Sequence, residues 1–121
     1  MVKTILIVED NEINLRFFDD LLQAEGYHTL KSKDGVKVVE MVKEYFPDLV
    51  LMDIKLPKTC GFEIVGKIKS QKRIRYIPII AVTALAMEED KQKILASGFD
   101  SYISKPMSVS HFLSTIRRYL V

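Results

Sequence analysis

A chain of 121 residues, 48% hydrophobic and 28% charged, can bury one sizeable core, so we expect a single domain over residues 1–121 with no effector domain. A formal net charge of +2 with interspersed signs argues against nucleic-acid binding, and hydrophobic runs of only a few residues argue against membrane insertion. Because Cys60 is the only cysteine, no intrachain disulfide can form, and we expect a cytoplasmic protein. We also expect a monomer or weak dimer.

Five short hydrophobic segments of strand length recur along the chain. They are Ile5–Val8, Tyr27–Leu30, Leu49–Met52, Pro78–Val82 and Ser101–Ser104. Amphipathic patterns lie between and after them, and they predict helices over about 12–25, 34–45, 61–70, 87–97 and 109–120. Asn11 and Ser108 are suited to cap the first and last helices, and Gly26 to end the first.

This alternation predicts an α/β fold. The central strands are apolar on both faces, which is typical of a parallel sheet covered by helices on both sides. We therefore predict a flavodoxin-like, doubly wound (βα)5 domain with strand order 2-1-3-4-5. In such sheets functional groups gather beyond the carboxyl ends of the strands, where the strand order reverses between strands one and three.

Polar side chains stand at four of the five predicted carboxyl ends. They are Glu9 and Asp10 after the first strand, Asp53 after the third, Thr83 after the fourth and Lys105 after the fifth. Three carboxylates in one pocket repel each other unless a cation intervenes, and oxygen ligands suit Mg²⁺. An aspartate beside such a metal can accept a phosphoryl group whose oxygens a lysine and a hydroxyl neutralise. Each residue alone has an ordinary explanation as a cap, strand residue or surface lysine, but their combination at one sheet edge favours a site.

Four segments resemble the signatures of two-component response-regulator receiver domains, in family order and at family spacing. They are Ile5-Leu-Ile-Val-Glu-Asp-Asn11, Leu51-Met-Asp-Ile-Lys-Leu-Pro57 followed by Gly61, Ala81-Val-Thr-Ala84 and Tyr102-Ile-Ser-Lys-Pro106. The resemblance implies that Asp53 is the phosphoacceptor. It also implies a Mg²⁺ ion, for which Mn²⁺ is expected to substitute, on Glu9, Asp10, Asp53 and the backbone carbonyl of Lys55.

The same resemblance implies roles near the phosphoryl group. Thr83 and Lys105 would bind it, and Tyr102 would be the switch aromatic whose ring turns inward as Thr83 moves. The peptide bond between Lys105 and Pro106 is expected to be cis. Lys55 and Leu85, two residues beyond Asp53 and Thr83, occupy positions that tune the lifetime of the acyl phosphate in this family.

A finer likeness points to a subfamily and to partners. Val8–Glu12, Asp20-Leu-Leu22, Ala84–Met87 and Ile103–Pro106 with His111-Phe-Leu113 resemble the DivK-type single-domain receivers of alphaproteobacterial cell-cycle control. The implied protein is a phosphorelay switch rather than an enzyme, and it catalyses only reactions of its own acyl phosphate. A histidine kinase or histidine phosphotransferase would be the donor. A protein partner would bind the face formed by the fourth helix, fifth strand and fifth helix, with Met87 and Tyr102 as anchors and Arg117, Arg118 and Tyr119 at the rim.

Four other kinds of protein could share this architecture, and the residues argue against two of them. A phosphoaspartate-type phosphatase needs a second acid two residues beyond its nucleophile, and that position is Lys55. A flavin or nucleotide carrier needs a phosphate-binding loop after the first strand, where Asp10-Asn-Glu12 would repel phosphate. A constitutive pseudo-receiver, and a receiver excised from a hybrid kinase or larger regulator, stay open, although Met1 directly before the first strand favours a complete chain.

Overall fold

The computed structural model describes residues 2–85 and 87–120, so Met1, Ala86 and Val121 lie outside the described residues. Five strands alternate with five helices. In chain order they are β1 Thr4–Val8, α1 Glu12–Ala24, β2 His28–Ser32, α2 Val38–Tyr45, β3 Leu49–Met52, α3 Gly61–Lys69, β4 Ile79–Thr83, α4 Glu88–Ala96, β5 Ser101–Ser104 and α5 Val109–Tyr119. All strands are parallel in the order β2-β1-β3-β4-β5, which confirms the predicted flavodoxin-like topology.

The sheet separates two hydrophobic layers. Successive side chains of a strand point to opposite faces, so Leu6 and Val8 of β1 pack on the side of α2, α3 and α4. Ile5 and Ile7 pack on the side of α1 and α5. Helices therefore cover both faces, which explains why β1, β3 and β4 are hydrophobic at nearly every position.

The strand register aligns the carboxyl ends of β1, β3, β4 and β5. Val8 pairs with Met52, and Thr83 pairs with Ser104. The Asp53 N–H then donates to the Val8 carbonyl oxygen over 2.9 Å. The residues that follow the strands consequently emerge side by side at one edge of the sheet.

The main correction concerns the start of α2, predicted at Asp34 but found at Val38. Gly35 has a φ of 79°, a left-handed conformation that a helix cannot contain. A Cβ at Gly35 would lie 2.8 Å from a methyl group of Leu56, so this turn packs closely against the loop between β3 and α3. The bounds of the other elements differ from the predicted ones by one or two residues.

Carboxylates fasten the opposite, amino edge of the sheet. An Asp48 oxygen accepts a hydrogen bond from the Thr4 N–H over 2.8 Å, at the start of β1. An Asp100 oxygen accepts one from the Ile79 N–H over 2.7 Å, at the start of β4, and another from the Lys69 ammonium over 3.0 Å. Within residues 2–85 and 87–120, none of the helices combines the length and apolar character needed to cross a membrane.

Candidate functional site

Three carboxylates converge at the carboxyl edge of the sheet. Glu9 and Asp10 follow β1, and Asp53 follows β3. One ligand oxygen from each lies within 4.8 Å of the other two. Glu9 is only 1% exposed, Asp53 is half-buried, and Asp10 is exposed, so the cluster opens to solvent on one side.

Lys105 crosses this pocket from the end of β5. Its ammonium donates to Glu9 Oε1 over 2.8 Å and to Asp53 Oδ2 over 3.1 Å, and the side chain is mostly buried. Its backbone N–H donates to the Thr83 carbonyl oxygen over 2.8 Å, which ties the residue to the end of β4. The Lys105-Pro106 peptide bond is cis, the isomer that the resemblance implied.

Burial and charge act on these groups in opposite directions. Burial raises the pKa of Glu9, and the nearby Asp53 charge adds to the rise. The hydrogen bond and positive charge of Lys105 only partly offset it. Burial alone would lower the pKa of Lys105, but the hydrogen bond from its ammonium to Glu9 and the negative charges of Asp53 and Glu9 outweigh that effect and raise it. Lys105 is therefore a permanent cation at neutral pH.

Thr83 completes the pocket from β4. The residue is buried, and its hydroxyl oxygen accepts a hydrogen bond from the Leu85 N–H over 3.1 Å. A cavity of about 280 Å³ lies next to it. The cavity is lined by Asp53, Lys55, Thr83, Ala84, Leu85 and Lys105. An acid, a hydroxyl and an ammonium thus face one small open space.

The loop between β3 and α3 is shaped by Gly61. The Gly61 N–H donates to the Ile54 carbonyl oxygen over 2.7 Å, and Lys55 and Cys60 form a short antiparallel pairing inside the loop. A Cβ at Gly61 would lie 2.8 Å from Ile54 Cα and 2.9 Å from the Asp53 carbonyl oxygen, so a side chain is excluded. This closure holds the backbone of Lys55 beside Asp53, where its N–H donates to Asp53 Oδ1 over 3.4 Å.

The donor set fits a magnesium ion. All three side chains offer carboxylate oxygens, which Mg²⁺ prefers, and the exposed side at Asp10 leaves room for the waters that Mg²⁺ retains. Three negative charges face the single positive charge of Lys105, so a divalent cation would balance the pocket.

Further residues lie on the predicted output face. Tyr102 is half-buried on β5, and the Lys91 ammonium of α4 lies 5.6 Å from its ring centroid. Met87 is 65% exposed and is therefore a surface residue. Arg117 pairs with Glu25, the residue that follows α1, and the Tyr119 hydroxyl donates to the Asp100 carbonyl oxygen over 3.1 Å. Sequence reasoning missed Lys91, because its contact arises only when α4 packs beside β5.

A second cavity, of about 480 Å³, lies beside the acidic pocket between α1 and the loop after β5. Its lining consists of Asn14, Phe17, Phe18, Ala84, Lys105, Pro106 and Met107. Sequence reasoning also missed this cavity. The available signal was the aromatic pair Phe17-Phe18 on α1, since a helix that buries only one face leaves one of two adjacent side chains exposed.

The parallel sheet, with its acidic pocket and nearby lysine, matches one known protein family. The family model described as the response regulator receiver domain matches residues 5–117, and the chain belongs to that family. It is thus a receiver domain of two-component signalling, a family of phosphorylation-dependent switches rather than conventional enzymes.

Among individual relatives, the chain is 46% identical over 120 residues to the polar-differentiation response regulator DivK of Brucella ovis and to that of Brucella anthropi. Each alignment covers 99% of this chain and 98% of the relative.

Solved structures agree with the fold and with the metal. The receiver domain of the sensor histidine kinase PA1611 from Pseudomonas aeruginosa PAO1 superposes with a TM-score of 0.91 at 31% identity, covering 99% of this chain and 98% of that one. That structure has a magnesium ion coordinated in its active-site cleft. The chemotaxis response regulator CheY4 of Vibrio cholerae superposes with a TM-score of 0.91 at 25% identity, covering 98% and 99%.

Proposed function

We propose that this protein is a phosphorylation-dependent switch that accepts a phosphoryl group on Asp53 from a phosphohistidine donor. The observation that carries the proposal is the position of the Lys105 ammonium, 2.8 Å from Glu9 and 3.1 Å from Asp53, at the rim of the small cavity. An ammonium this close to Asp53 can donate hydrogen bonds to the oxygens of a phosphoryl group attached to that residue.

The proposed reaction is a single displacement at phosphorus. A carboxylate oxygen of Asp53 forms the new O–P bond while the P–N bond to the donor imidazole breaks, and the electron pair of that bond leaves with the imidazole nitrogen. Lys105 and the Thr83 hydroxyl then bind phosphoryl oxygens. Hydrolysis of the acyl phosphate returns Asp53 to its starting state, so the protein turns over only its own modification.

The proposed magnesium ligands are Glu9, Asp10, Asp53 and the Lys55 carbonyl oxygen. The bound ion would neutralise charge on the phosphoryl oxygens and align donor and acceptor. The carboxylates of Glu9 and Asp10 repel the carboxylate of Asp53, and a bound cation would offset that repulsion.

The cavity between α1 and the loop after β5 suits the donor protein. Phe17 is 42% exposed there, and Lys105 lines both this cavity and the acidic pocket. A helix of a histidine kinase or histidine phosphotransferase that packed on Phe17 and Met107 would bring its phosphohistidine to Asp53. We place this exchange in the cytoplasm.

Output is proposed to leave through the face of α4, β5 and α5. Phosphorylation would draw Thr83 toward the phosphoryl group and allow the Tyr102 ring to turn inward, which changes the surface around Met87 and Lys91. The likeness to the polar-differentiation regulator DivK supports a protein partner in cell-division or cell-cycle control.

The test is intact mass after incubation with acetyl phosphate and Mg²⁺. We expect one phosphoryl adduct on the wild type, and none with Asp53→Asn or when Mg²⁺ is chelated. Asp20→Asn, an exposed change on α1, is the matched control and should retain the adduct. Absence of any adduct on the wild type, also with a phosphohistidine donor and rapid quenching, would instead support a constitutive pseudo-receiver.

A further inference from the structure

The amino edge of the sheet carries a cluster of exposed aromatic and basic side chains that the phosphorylation site does not use. They come from the end of α2 and from the loop between α3 and β4. We call them the basal patch: Tyr45, Phe46, Lys72, Arg73, Arg75 and Tyr76. Asp53 follows the far end of β3, about 13 Å from Leu49 at the start of the strand, at roughly 3.3 Å per residue.

A stacking contact joins the two segments of the basal patch. The Arg73 guanidinium carbon lies 5.4 Å from the centroid of the Phe46 ring, a cation–π arrangement. Tyr76 is 69% exposed and Tyr45 is 53% exposed. Arg73 therefore packs on Phe46, and the two tyrosines add exposed aromatic surface on the same two segments.

Phe46 occupies an unusual backbone conformation at the centre of the patch. Its φ is 45°, and it is the only described residue other than glycine with a positive φ. Such a conformation costs free energy for a residue with a bulky side chain. The residue as a whole is 38% exposed and is not part of the buried core.

The patch is positively charged because its three basic side chains outnumber the exposed acid beside it in sequence. Asp48 and Asp100 accept hydrogen bonds from the first residues of β1 and β4, and Asp100 also pairs with Lys69. Within the described part of the chain, the ion pairs include none of the patch cations Lys72, Arg73 and Arg75. Glu44 on α2 is the one exposed acid next to the patch in sequence.

We infer that the basal patch binds a short acidic protein segment with apolar side chains, and that it does so whether or not Asp53 is phosphorylated. Arginine, tyrosine and phenylalanine are the residues enriched at the centres of protein interfaces. Their positive charge selects an acidic partner by complementarity. Six side chains are far fewer than the roughly 20 to 30 residues per side of a standard interface, so the occupant is a short segment rather than a globular face.

Other occupants fit less well. A second copy of this chain docked through the same patch would oppose arginine with arginine. Nucleic-acid binders typically neutralise several phosphates, on the order of six to ten, whereas the patch offers three cations. We expect binding to be independent of phosphorylation because Asp53 and Thr83 follow or end their strands at the carboxyl edge of the sheet, whereas the patch lies at the amino edge.

The test is an NMR titration of the ¹⁵N-labelled full chain with a short peptide of alternating glutamate and leucine. We expect saturable, salt-sensitive shifts of the amides at 43–46 and 72–76. Affinity should fall at least about tenfold in R73E/R75E. It should stay unchanged in K37E/R118E, a matched charge reversal outside the patch, in Asp53→Asn, and after phosphorylation of the wild type by acetyl phosphate.

Tyr76→Ser provides a second variant that leaves the charge intact and should also weaken binding. The inference is overturned by the absence of saturable shifts, by shifts confined to another surface, or by binding that survives R73E/R75E. A requirement for phosphorylated Asp53 would overturn it as well. So would binding of oligothymidylate or anionic vesicles without binding of the peptide. Asp53→Asn separates this inference from the proposed function, since it removes the proposed phosphoacceptor at the opposite edge of the sheet and leaves every residue of the basal patch unchanged.

Discussion

At the scale of single residues, Lys105 has two roles, one in stability and one in the proposed reaction. Its ammonium is the partner of a carboxylate that is almost completely buried, Glu9, and it is also the proposed ligand of the phosphoryl group. The two roles are separable by experiment because one affects folding and the other affects a covalent reaction.

We predict that Lys105→Met lowers both stability and phosphorylation. Methionine fills similar space but leaves Glu9 buried without its ammonium partner, which should cost about 1–3 kcal/mol of unfolding free energy. Urea unfolding at pH 7 without Mg²⁺ measures that cost, and adduct formation with acetyl phosphate measures reactivity. The exposed control Lys37→Met should change stability by less than about 0.5 kcal/mol. An unchanged unfolding free energy in Lys105→Met would show that the Glu9 pair is not stabilising.

Asp19 is a buried acid that sequence reasoning missed. It lies on α1 and accepts hydrogen bonds from Thr29 over 2.6 Å, from Gln23 over 2.8 Å and from Lys31 over 3.1 Å. Burial alone would raise the pKa of Asp19, but these hydrogen bonds and the Lys31 charge together lower it. Its ionised form therefore connects α1 to the edge strand β2.

The lowered pKa of Asp19 sets the sign of a pH dependence. The carboxylate stabilises the fold above its unfolded pKa of about 4, and that contribution disappears as pH falls through the lower folded pKa. We expect Asp19→Asn to cost about 1–3 kcal/mol at pH 7 and distinctly less near pH 3. Urea unfolding at both pH values tests this. Asp20→Asn, a change at an exposed neighbour, should show neither effect, and an equal loss at both pH values would contradict the assignment.

At the scale of elements, glycines decide where loops can close. We predict that Gly61→Ala costs about 1–3 kcal/mol and weakens Mg²⁺ binding, because the new Cβ must displace the backbone of Ile54 and Asp53. Gly66→Ala in the same helix is the matched control. Apart from its chain neighbours and the backbone of its own helix, no atom lies within 4 Å of the Cβ position at Gly66, so alanine there should stabilise by roughly 0.5–1 kcal/mol. Chemical denaturation with and without Mg²⁺ distinguishes the two variants.

Element types were predictable from the sequence, while one boundary was not. Hydrophobic runs such as Leu49–Met52 are strands because both faces are buried, and Asn11 and Ser108 cap α1 and α5 through their side chains as expected. The predicted start of α2 was wrong because the left-handed turn at Gly35 depends on close packing against Leu56, Thr59 and Ile64. Those contacts are distant in sequence, and no local pattern reports them.

The site was partly predictable for a related reason. Acids at strand ends follow directly from topology, so the convergence of Glu9, Asp10 and Asp53 could be expected. The contacts of Lys91 with Tyr102 and of Arg73 with Phe46 depend on how helices and loops pack. These contacts could not be predicted from the sequence, in which either cation resembles an ordinary exposed side chain.

At the scale of the whole molecule, magnesium and folding should be linked. An ion that binds the folded acidic pocket and not the unfolded chain raises the unfolding free energy, by about 1.4 kcal/mol when its concentration is ten times the dissociation constant. We predict that Mg²⁺ raises the thermal midpoint of the wild type and has a clearly smaller effect on Asp10→Asn, which lacks one of the proposed carboxylate ligands. Calorimetry over a Mg²⁺ series tests this, with NaCl at matched ionic strength as control. Equal responses of both proteins would exclude Asp10 from the metal site.

The Asp48 and Asp100 carboxylates that fasten the amino edge have a consequence for how long complexes last. They hold the starts of β1 and β4 at the edge that carries the basal patch, whereas phosphorylation is proposed to act at Asp53 and Thr83, at the opposite edge. A protein segment bound to the basal patch would therefore stay bound through many cycles of phosphorylation and dephosphorylation. The receiver could be stationed at one place in the cell while its upper face exchanges donors and targets at a raised local concentration.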